Sequence, residues 1–477
     1  MNLRNDAGSA RSGVGLPAGE PKRRHEPGSM ICDVLVVGAG PAGSTAARTC
    51  AALGLRTVLL EEHPEVGDPV HCTGKLSAHA FKRFGLLSSL AQNELRGAAL
   101  HAPDGSVARV RRVSVDSYLV DRAALDRHLA EQASLSGAEV IVGARARTVV
   151  RNGGLRVEVE RGRTRLVITT PLVIDAEGAT PVLPPQLGLA PRRALVHGLQ
   201  YDLEGAAIEQ EDAPDLYFGW NVAPGFFGWF MPTGGGRGRL GVAVDPRWAT
   251  RAPIHYLEGL RTVHPTASPR LRHAKIVRRL AGRIPILGRR RPTYADGMLV
   301  IGDAAGQVKA TSGGGIYFAM QAGEIAGRAA ARYLGAGAAS GTGAASDRGA
   351  ASDAGEASDR GARGALAGYE REWRAAFGRE ILFTTIARGA LNRLSDRHIS
   401  TIIRELAGDS GLRRAVEEHG DTQYQSRLLR PVLVSAVRAG LRDLRLAPTV
   451  LAALGAAMLS VWSDGGAPSP ARTWSAS

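Results

Sequence analysis

Residues 33–62, DVLVVGAGPAGSTAARTCAALGLRTVLLEE, decide the fold. An apolar run, Asp33–Val37, enters a turn with three glycines that opens a helix of small residues. A second apolar run, Thr57–Leu60, follows and ends on an acid. Gly38 allows the tight turn, Gly40 lets backbone approach a pyrophosphate, and Gly43 allows the helix to lie close on its strand. The helix N-terminus offers unpaired N–H groups to phosphate oxygens. Glu61 stands where it can accept ribose hydroxyls. A GxGxxG alone is weak evidence; with a strand before it, a helix after it and an acid at this distance, it predicts a nucleotide-cofactor site.

The chain has 477 residues, 44% hydrophobic and 22% charged, enough for at least one large core and two or three domains. Cys32, Cys50 and Cys72 are odd in number and lack metal spacing, so neither a disulfide framework nor a metal site is expected, and a reducing cytoplasm fits. Residues 1–29 are rich in Gly, Pro, Ser and Arg without an apolar run, which predicts a disordered tail rather than a secretory signal, with Met30 a candidate physiological start. A net charge of +15 would attract nucleic acid or an anionic membrane alike. The basic stretches Arg270–Arg283 and Arg289–Arg291 lack interleaved aromatics, so no nucleic-acid partner is expected. A solvated arginine-rich surface comes first and a membrane-facing role next.

Further strand-like runs occur at Glu139–Val150, Leu155–Ile168 and Leu172–Asp175, with a helical pattern from Arg122 to Ser136. Pro103-Asp104-Gly105 marks a hairpin inserted into this α/β opening. From Leu195 to Val244 short alternating runs carry Tyr201, Tyr217, Phe218, Trp220, Phe226, Phe227, Trp229 and Phe230, which reads as an antiparallel sheet. Its aromatics are either an ordinary sheet core or the wall of an apolar pocket. MLVIGDAAG at 298–306 returns to the strand and glycine-turn theme, so the chain re-enters its first domain. Near-repeats of ASDRGA then lie in a Gly/Ala/Ser-rich stretch read as a flexible loop. Helical patterning resumes at Tyr369. Leu446–Ser463 is uncharged but carries Pro448 and Gly455, which favours a packed or interfacial helix over a spanning one, with Arg427, Arg430, Arg438, Arg442 and Arg445 just upstream.

These residues resemble the geranylgeranyl reductase family of flavoproteins, within the superfamily that shares the p-hydroxybenzoate hydroxylase fold. The resemblance spans about residues 30–430 and rests on the glycine fingerprint together with PVHCTGKLS (69–77), VDRAALDRHL (120–129), DAEGAT (175–180), PGFFGWFMP (224–232), GDAAGQVKATSGGGIYFAM (302–320) and YEREWRAAFGRE (369–380). It implies FAD, with Gly38, Gly40 and Gly43 at the pyrophosphate and Glu61 on the adenosine ribose. Asp303 would accept a flavin-chain hydroxyl, unless it is simply a helix N-cap. Backbone at Gly313, Gly314 and Gly315 would meet the isoalloxazine ring. Arg122 is similar to the family's arginine beside the flavin, a surface helix arginine being the alternative. Cys72 is similar to the cysteine of the loop facing the flavin; His71 beside it is a second candidate at the reaction centre, with a plain loop histidine as the first reading.

The implied fold class is α/β plus an antiparallel sheet. A Rossmann-like FAD-binding domain (30–98, 116–190 and 290–334) is interleaved with an antiparallel-sheet substrate domain (99–115 and 191–289). A disordered tail (1–29), a flexible low-complexity loop (335–368) and a C-terminal helical region (369–465) complete it. The implied chemistry is saturation of isolated carbon–carbon double bonds in an isoprenoid chain of a lipid, quinone or prenyl substrate. Such an alkene has no carbonyl to take up charge, so the reaction needs a rigidly held flavin and a nearby proton donor. Cys72, His71 and Trp229 are the catalytic candidates, and Phe226, Phe227, Trp229 and Phe230 the walls that would align the chain. Two departures touch the substrate: the family pattern resembles PxxYxWxFP, and here Phe227 replaces the tyrosine and Met231 the last phenylalanine. Ala310 replaces a proline that often follows the lysine at 309. Electrons would come from NADPH or a ferredoxin-like donor, since no second glycine fingerprint with an acid marks a resident nicotinamide site. The expected location is cytoplasmic, peripheral on the membrane inner face. The rival readings are an FAD monooxygenase acting on an aromatic or polycyclic substrate, and a non-catalytic electron-transfer flavoprotein at a membrane.

Overall fold

A computed structural model of the chain describes residues 28–189, 194–286, 292–339, 364–419 and 423–428. The apolar runs around the glycine turn form the centre of a six-stranded sheet, ordered Tyr294–Ala295, Met298–Val300, Leu172–Asp175, Val34–Val37, Thr57–Leu60, Glu139–Ile141. All neighbours in it are parallel except the first pair. The central strands Val34–Val37 and Thr57–Leu60 are buried throughout, because both faces are covered, which is what continuous rather than alternating apolar runs require. One face carries helices Pro41–Ala52, Arg122–Leu135 and Ile316–Ala339. The other packs on a four-stranded sheet in which Ala144–Arg151, Leu155–Arg161 and Thr164–Thr170 run antiparallel and Ser29–Ile31 adds a parallel edge.

Several boundaries differ from the sequence reading. Glu139–Val150 is two strands, because Gly143 turns the chain at φ 65°, and Leu155–Ile168 is a hairpin folded at Gly162, φ 59°. Both turns lie between β-branched runs and are made by a single glycine, so the flanking runs read as one strand. The first strand begins at Ser29, where the 1–29 segment was expected to be a tail. Helix Ile316–Ala339 reaches into the stretch read as a flexible loop, and 364–368 are helical as well, since alanine favours helix even where no apolar period is visible. The remainder of that stretch, 1–27, Arg289–Arg291 and Leu446–Ser463 with Arg430–Arg445 lie outside the described residues.

A seven-stranded sheet follows the order Lys275–Ile286, Ala194–Glu204, Arg237–Val244, Gly228–Gly234, Asp215–Tyr217, Gly97–His101, Val107–Arg111. It is antiparallel apart from the parallel pairing of Asp215–Tyr217 with Gly97–His101, so the hairpin at Pro103–Gly105 extends this sheet. Alternation gives it two cores. Tyr201, Tyr217, Phe230 and Leu240 pack beneath helix Pro253–Thr262 on one face, and Phe226, Trp229, Met231 and Ala243 lie on the other. The outer face also buries a polar chain in which His101 Nε2 meets Asp215 at 2.7 Å and Arg270 donates to Asp215 at 2.7 Å and to the Tyr217 hydroxyl at 2.8 Å. A three-stranded sheet, Lys75–Ser77, Ser117–Val120 and Ala91–Leu95, links the two large sheets. Helix 364–373 passes through one π turn, Arg374–Gly378, into helix Arg379–Leu391, followed by Asp396–Gly408 and Ser410–His419.

Candidate active site

One cavity of about 1620 Å³ runs from the glycine turn of the six-stranded sheet to the inner face of the seven-stranded sheet and the C-terminal helices. At its first end, the turn after Val37 holds Gly38 at φ 101°, where a side chain would strike the Ala176 carbonyl. Gly43, one turn into the helix, faces back on the Gly38 carbonyl and the Ala176 side chain. Both glycines are thus required by the protein's own packing. Gly40 is different: its φ of −71° suits any residue, and a Cβ there would meet no protein atom within 4 Å. It opens onto the cavity, so its lack of a side chain serves close approach from that space. The helix begins with Pro41 and no side-chain cap, which leaves its first N–H groups available to an anion.

Glu61 closes this end. Its carboxylate accepts from the Ala39 N–H at 3.0 Å, from the His63 N–H at 3.0 Å and from His63 Nδ1 at 2.6 Å, so the acid is aimed before any ligand arrives. Asp303 follows strand Met298–Val300, and its carboxylate lies 3.1 Å from the position of a side chain at Gly315, immediately before helix Ile316–Ala339. Behind it, the Gln307 carboxamide oxygen accepts from the Gly302 N–H at 2.7 Å and its nitrogen donates to the Tyr369 hydroxyl at 3.0 Å. That hydroxyl in turn donates to the Val300 carbonyl at 2.9 Å. The YEREW segment therefore braces this loop from behind. The Ala310 N–H donates to Thr384 Oγ1 at 3.3 Å, a bond that a proline at 310 would lack.

Midway along the cavity lies the His71–Gly74 loop. His71 is exposed and its Nδ1 donates to the Ala281 carbonyl at 2.8 Å, because a carbonyl can only accept. Cys72 is half-buried, and its sulfur accepts from the Gly74 N–H at 3.4 Å. Two guanidinium groups flank it. Arg122, at the start of helix Arg122–Leu135, pairs with Asp126 at 2.9 Å and is close enough to Cys72 to interact with it electrostatically. Burial opposes its charge, but Asp126 and Cys72 outweigh that and hold it above the ordinary arginine value. With a side chain 14% exposed, it is no surface arginine. Arg239, 7% exposed, donates to the carbonyls of Thr73 and Val120, the latter at 3.2 Å, and to Gln92 at 2.5 Å. Burial pushes its guanidinium below the usual value, opposed by Asp202 and Cys72. The buried Gln200 joins loop to wall: its oxygen accepts from the Thr73 hydroxyl at 2.7 Å and from Trp229 Nε1 at 3.4 Å.

At the far end Phe227, Trp229 and Met231 alternate onto the cavity side of one strand segment. Phe226 stacks on Phe227 with centroids 4.7 Å apart and lies under Arg388 at 4.2 Å. Phe230 is corrected by this geometry: the period of two turns it to the opposite core beside Tyr201 and Leu240, and it does not line the cavity. The structure thus gathers Gly38, Gly40, Glu61, His71, Cys72, Arg122, Phe226, Phe227, Trp229, Asp303 and Gly313–Gly315 around one space. Gly43 and Phe230 stand outside it. Arg239, Gln200, Gln307 and Tyr369 went unread in the sequence, since nothing local distinguishes a residue whose partner lies on another sheet. Gln307 and Tyr369 did sit in quoted motifs.

The cavity's chemistry agrees with comparisons to known proteins. A family model described as FAD dependent oxidoreductase matches residues 33–184. Digeranylgeranylglycerophospholipid reductase 2 of Methanothermobacter thermautotrophicus is 32% identical over 387 residues, 80% of this chain and 92% of the relative. The corresponding reductase of Methanocaldococcus jannaschii is 34% identical over 308 residues, 63% of this chain and 77% of the relative. The crystal structure of a geranylgeranyl bacteriochlorophyll reductase-like protein from Thermoplasma acidophilum superposes with a TM-score of 0.70 at 26% identity, covering 80% of this chain and 93% of that one. A glycine turn built for a dinucleotide, a thiol loop between two buried guanidinium groups and an apolar wall thus occur in a chain that belongs to the geranylgeranyl reductase family of FAD-dependent oxidoreductases.

Proposed function

We propose that this protein reduces carbon–carbon double bonds of geranylgeranyl-type chains carried on a polar lipid, as the names of its glycerophospholipid-reductase relatives suggest. The observation that carries this reading is the continuity of the cavity, in which the glycine turn and the aromatic wall share one space. FAD, when bound, supplies two electrons and one hydrogen to the alkene. The residues present fit it: Gly40 would give clearance, the Pro41 helix N-terminus would hold the pyrophosphate, Glu61 the ribose and Asp303 the flavin chain. Phe226, Phe227 and Trp229 align a substrate whose only handle is shape.

Cys72 is the proton donor in this reading, and the thiolate left behind lies beside the Arg122 and Arg239 charges. Water entering past exposed His71 restores that proton. Arg239 and Gln200 hold the loop at a fixed distance from Trp229. Electrons arrive from NADPH or a ferredoxin-like donor that docks transiently. Among the described residues no helix is long and apolar enough to cross a membrane. Ile254, Leu391 and Ile402 line the cavity while 38–42% exposed, so they stand at openings through which a lipid chain could enter from a bilayer surface.

The test is anaerobic incubation of the FAD-loaded protein with reductant and geranylgeranyl phospholipid vesicles, followed by mass spectrometry. A gain of two hydrogens per double bond, abolished or cut at least about tenfold in Cys72→Ala, is expected. Oxygen-coupled turnover yielding a hydroxylated product would replace the reading with that of a monooxygenase. Flavin reduction without any saturated lipid would leave the electron-carrier reading.

A further inference from the structure

The three bare positions of the Gly313–Gly315 turn face three different chemistries. A side chain at Gly313 would meet Ile284 at 3.0 Å and Phe226 at 3.6 Å; one at Gly315 would meet the Asp303 carboxylate at 3.1 Å. One at Gly314 would meet Lys309, with Cε at 3.1 Å and Nζ at 3.5 Å. Lys309 is only 4% exposed, lines the cavity, and holds its ammonium 5.8 Å from the Phe318 ring centroid. Its backbone belongs to the turn: the Gly313 N–H donates to the Lys309 carbonyl at 2.8 Å, and the Lys309 N–H donates to the Gly314 carbonyl at 3.2 Å. Lysine, turn and the start of helix Ile316–Ala339 are one body.

An ammonium is expensive to bury, and a lysine at an ordinary packing position would extend its head to water. Here the charge is folded inward onto backbone that has no side chains, so whatever lies on that turn meets a cation at close range. We propose that Lys309 sets the charge state of the cofactor ring lodged on this turn, by holding the negative charge that remains when the ring takes up two electrons and only one proton. The proposal rests on the FAD reading above. A second proton would cancel that charge. With the cation in place the ring keeps it at neutral pH, and an electron-rich ring delivers hydrogen more readily to an alkene that lacks a carbonyl. The helix N-terminus acts in the same sense, but only the lysine can be removed without altering the backbone.

The experiment reduces FAD-loaded wild type, Lys309→Met and Lys309→Arg with dithionite under anaerobic conditions across a pH series, and reads the protonation of the reduced ring by absorbance beside free reduced FAD. The wild-type ring is expected to lose its second proton at lower pH than free reduced FAD. Lys309→Met should move that transition up by about one to two pH units, the size of one charge at short range in a partly buried site, and Lys309→Arg should keep it low. A wild-type transition equal to that of free FAD overturns the proposal, as does a FAD-loaded Lys309→Met that titrates like wild type. Should Lys309→Met fail to fold, Lys309→Gln takes its place under the same criteria. Failure of the wild type to bind FAD would instead defeat the cofactor reading on which the proposal stands.

Discussion

Arg388 carries a charge whose Nε and Nη2 are buried without a hydrogen-bond partner among the described residues, stacked over Phe226. Burial, only partly offset by Asp245, pushes its guanidinium down to about 9. Below pH 9 the folded and unfolded states are both charged, so the folded state carries the whole penalty of burying that charge; it is relieved as pH rises above about 9 toward the ordinary arginine value. Arg388→Met is therefore expected to raise stability at pH 7 by about 1–3 kcal/mol, less than the full desolvation because the contact with Phe226 is lost too. Denaturant unfolding checks it, and the advantage should shrink above pH 9. An unchanged or lower midpoint for the methionine variant would mean the guanidinium is better compensated than its contacts indicate. The same scale exposes the two departures in the aromatic segment: Phe227 and Met231 both face the cavity, so they alter the wall a substrate touches and leave the cofactor end as it is.

The glycine turn and its helix separate two demands that look alike in sequence. Gly43 cannot accept a Cβ without displacing helix from turn, whereas Gly40 can. Gly43→Ala is expected to destabilise the fold by about 1–3 kcal/mol through overpacking. Gly40→Ala should unfold like wild type yet bind FAD at least about tenfold more weakly, since the methyl group stands in the space the pyrophosphate needs. Thermal unfolding of the apoprotein together with a fluorescence titration of FAD distinguishes them. Equal loss of apoprotein stability in both variants would refute the division of roles. At this scale the glycine spacing was legible because turn, helix and strand are consecutive in the chain. The break at Gly143 was not, because apolar residues continue on both sides of it; the break at Gly162 was marked only by the charged run at 160–165, which strand alternation absorbs.

Across the whole molecule the C-terminal helices are tied to the six-stranded sheet by buried polar groups as well as apolar packing. Tyr369 is fully buried, and burial pushes its phenol well above the usual range, so it acts as a neutral donor to Val300 and acceptor from Gln307. The Trp373 indole donates to Thr293 Oγ1 at 2.9 Å, and the Glu370 carboxylate accepts from the Thr293 N–H at 2.7 Å. Tyr369→Phe leaves the Gln307 amide short of a partner and should lower stability by about 1–3 kcal/mol. Hydrogen exchange should rise at Gly302 and in the loop that carries Asp303 before it rises in the central strands. Uniform exchange in the variant would show that the brace is dispensable.

The sequence alone determined the nucleotide turn, the family resemblance, the return of the chain at Met298 and the aromatic strand, because each is written in neighbouring residues with a fixed period. Tertiary structure decided which of the aromatics face substrate, turning Phe230 away from the cavity and Met231 toward it. It also decided that Cys72 lies between Arg122 and Arg239, and that Lys309 folds back onto Gly314. Those relations join residues on different sheets and turns. Charge and burial act through space over a few ångströms, and only the folded chain sets which groups come within that range.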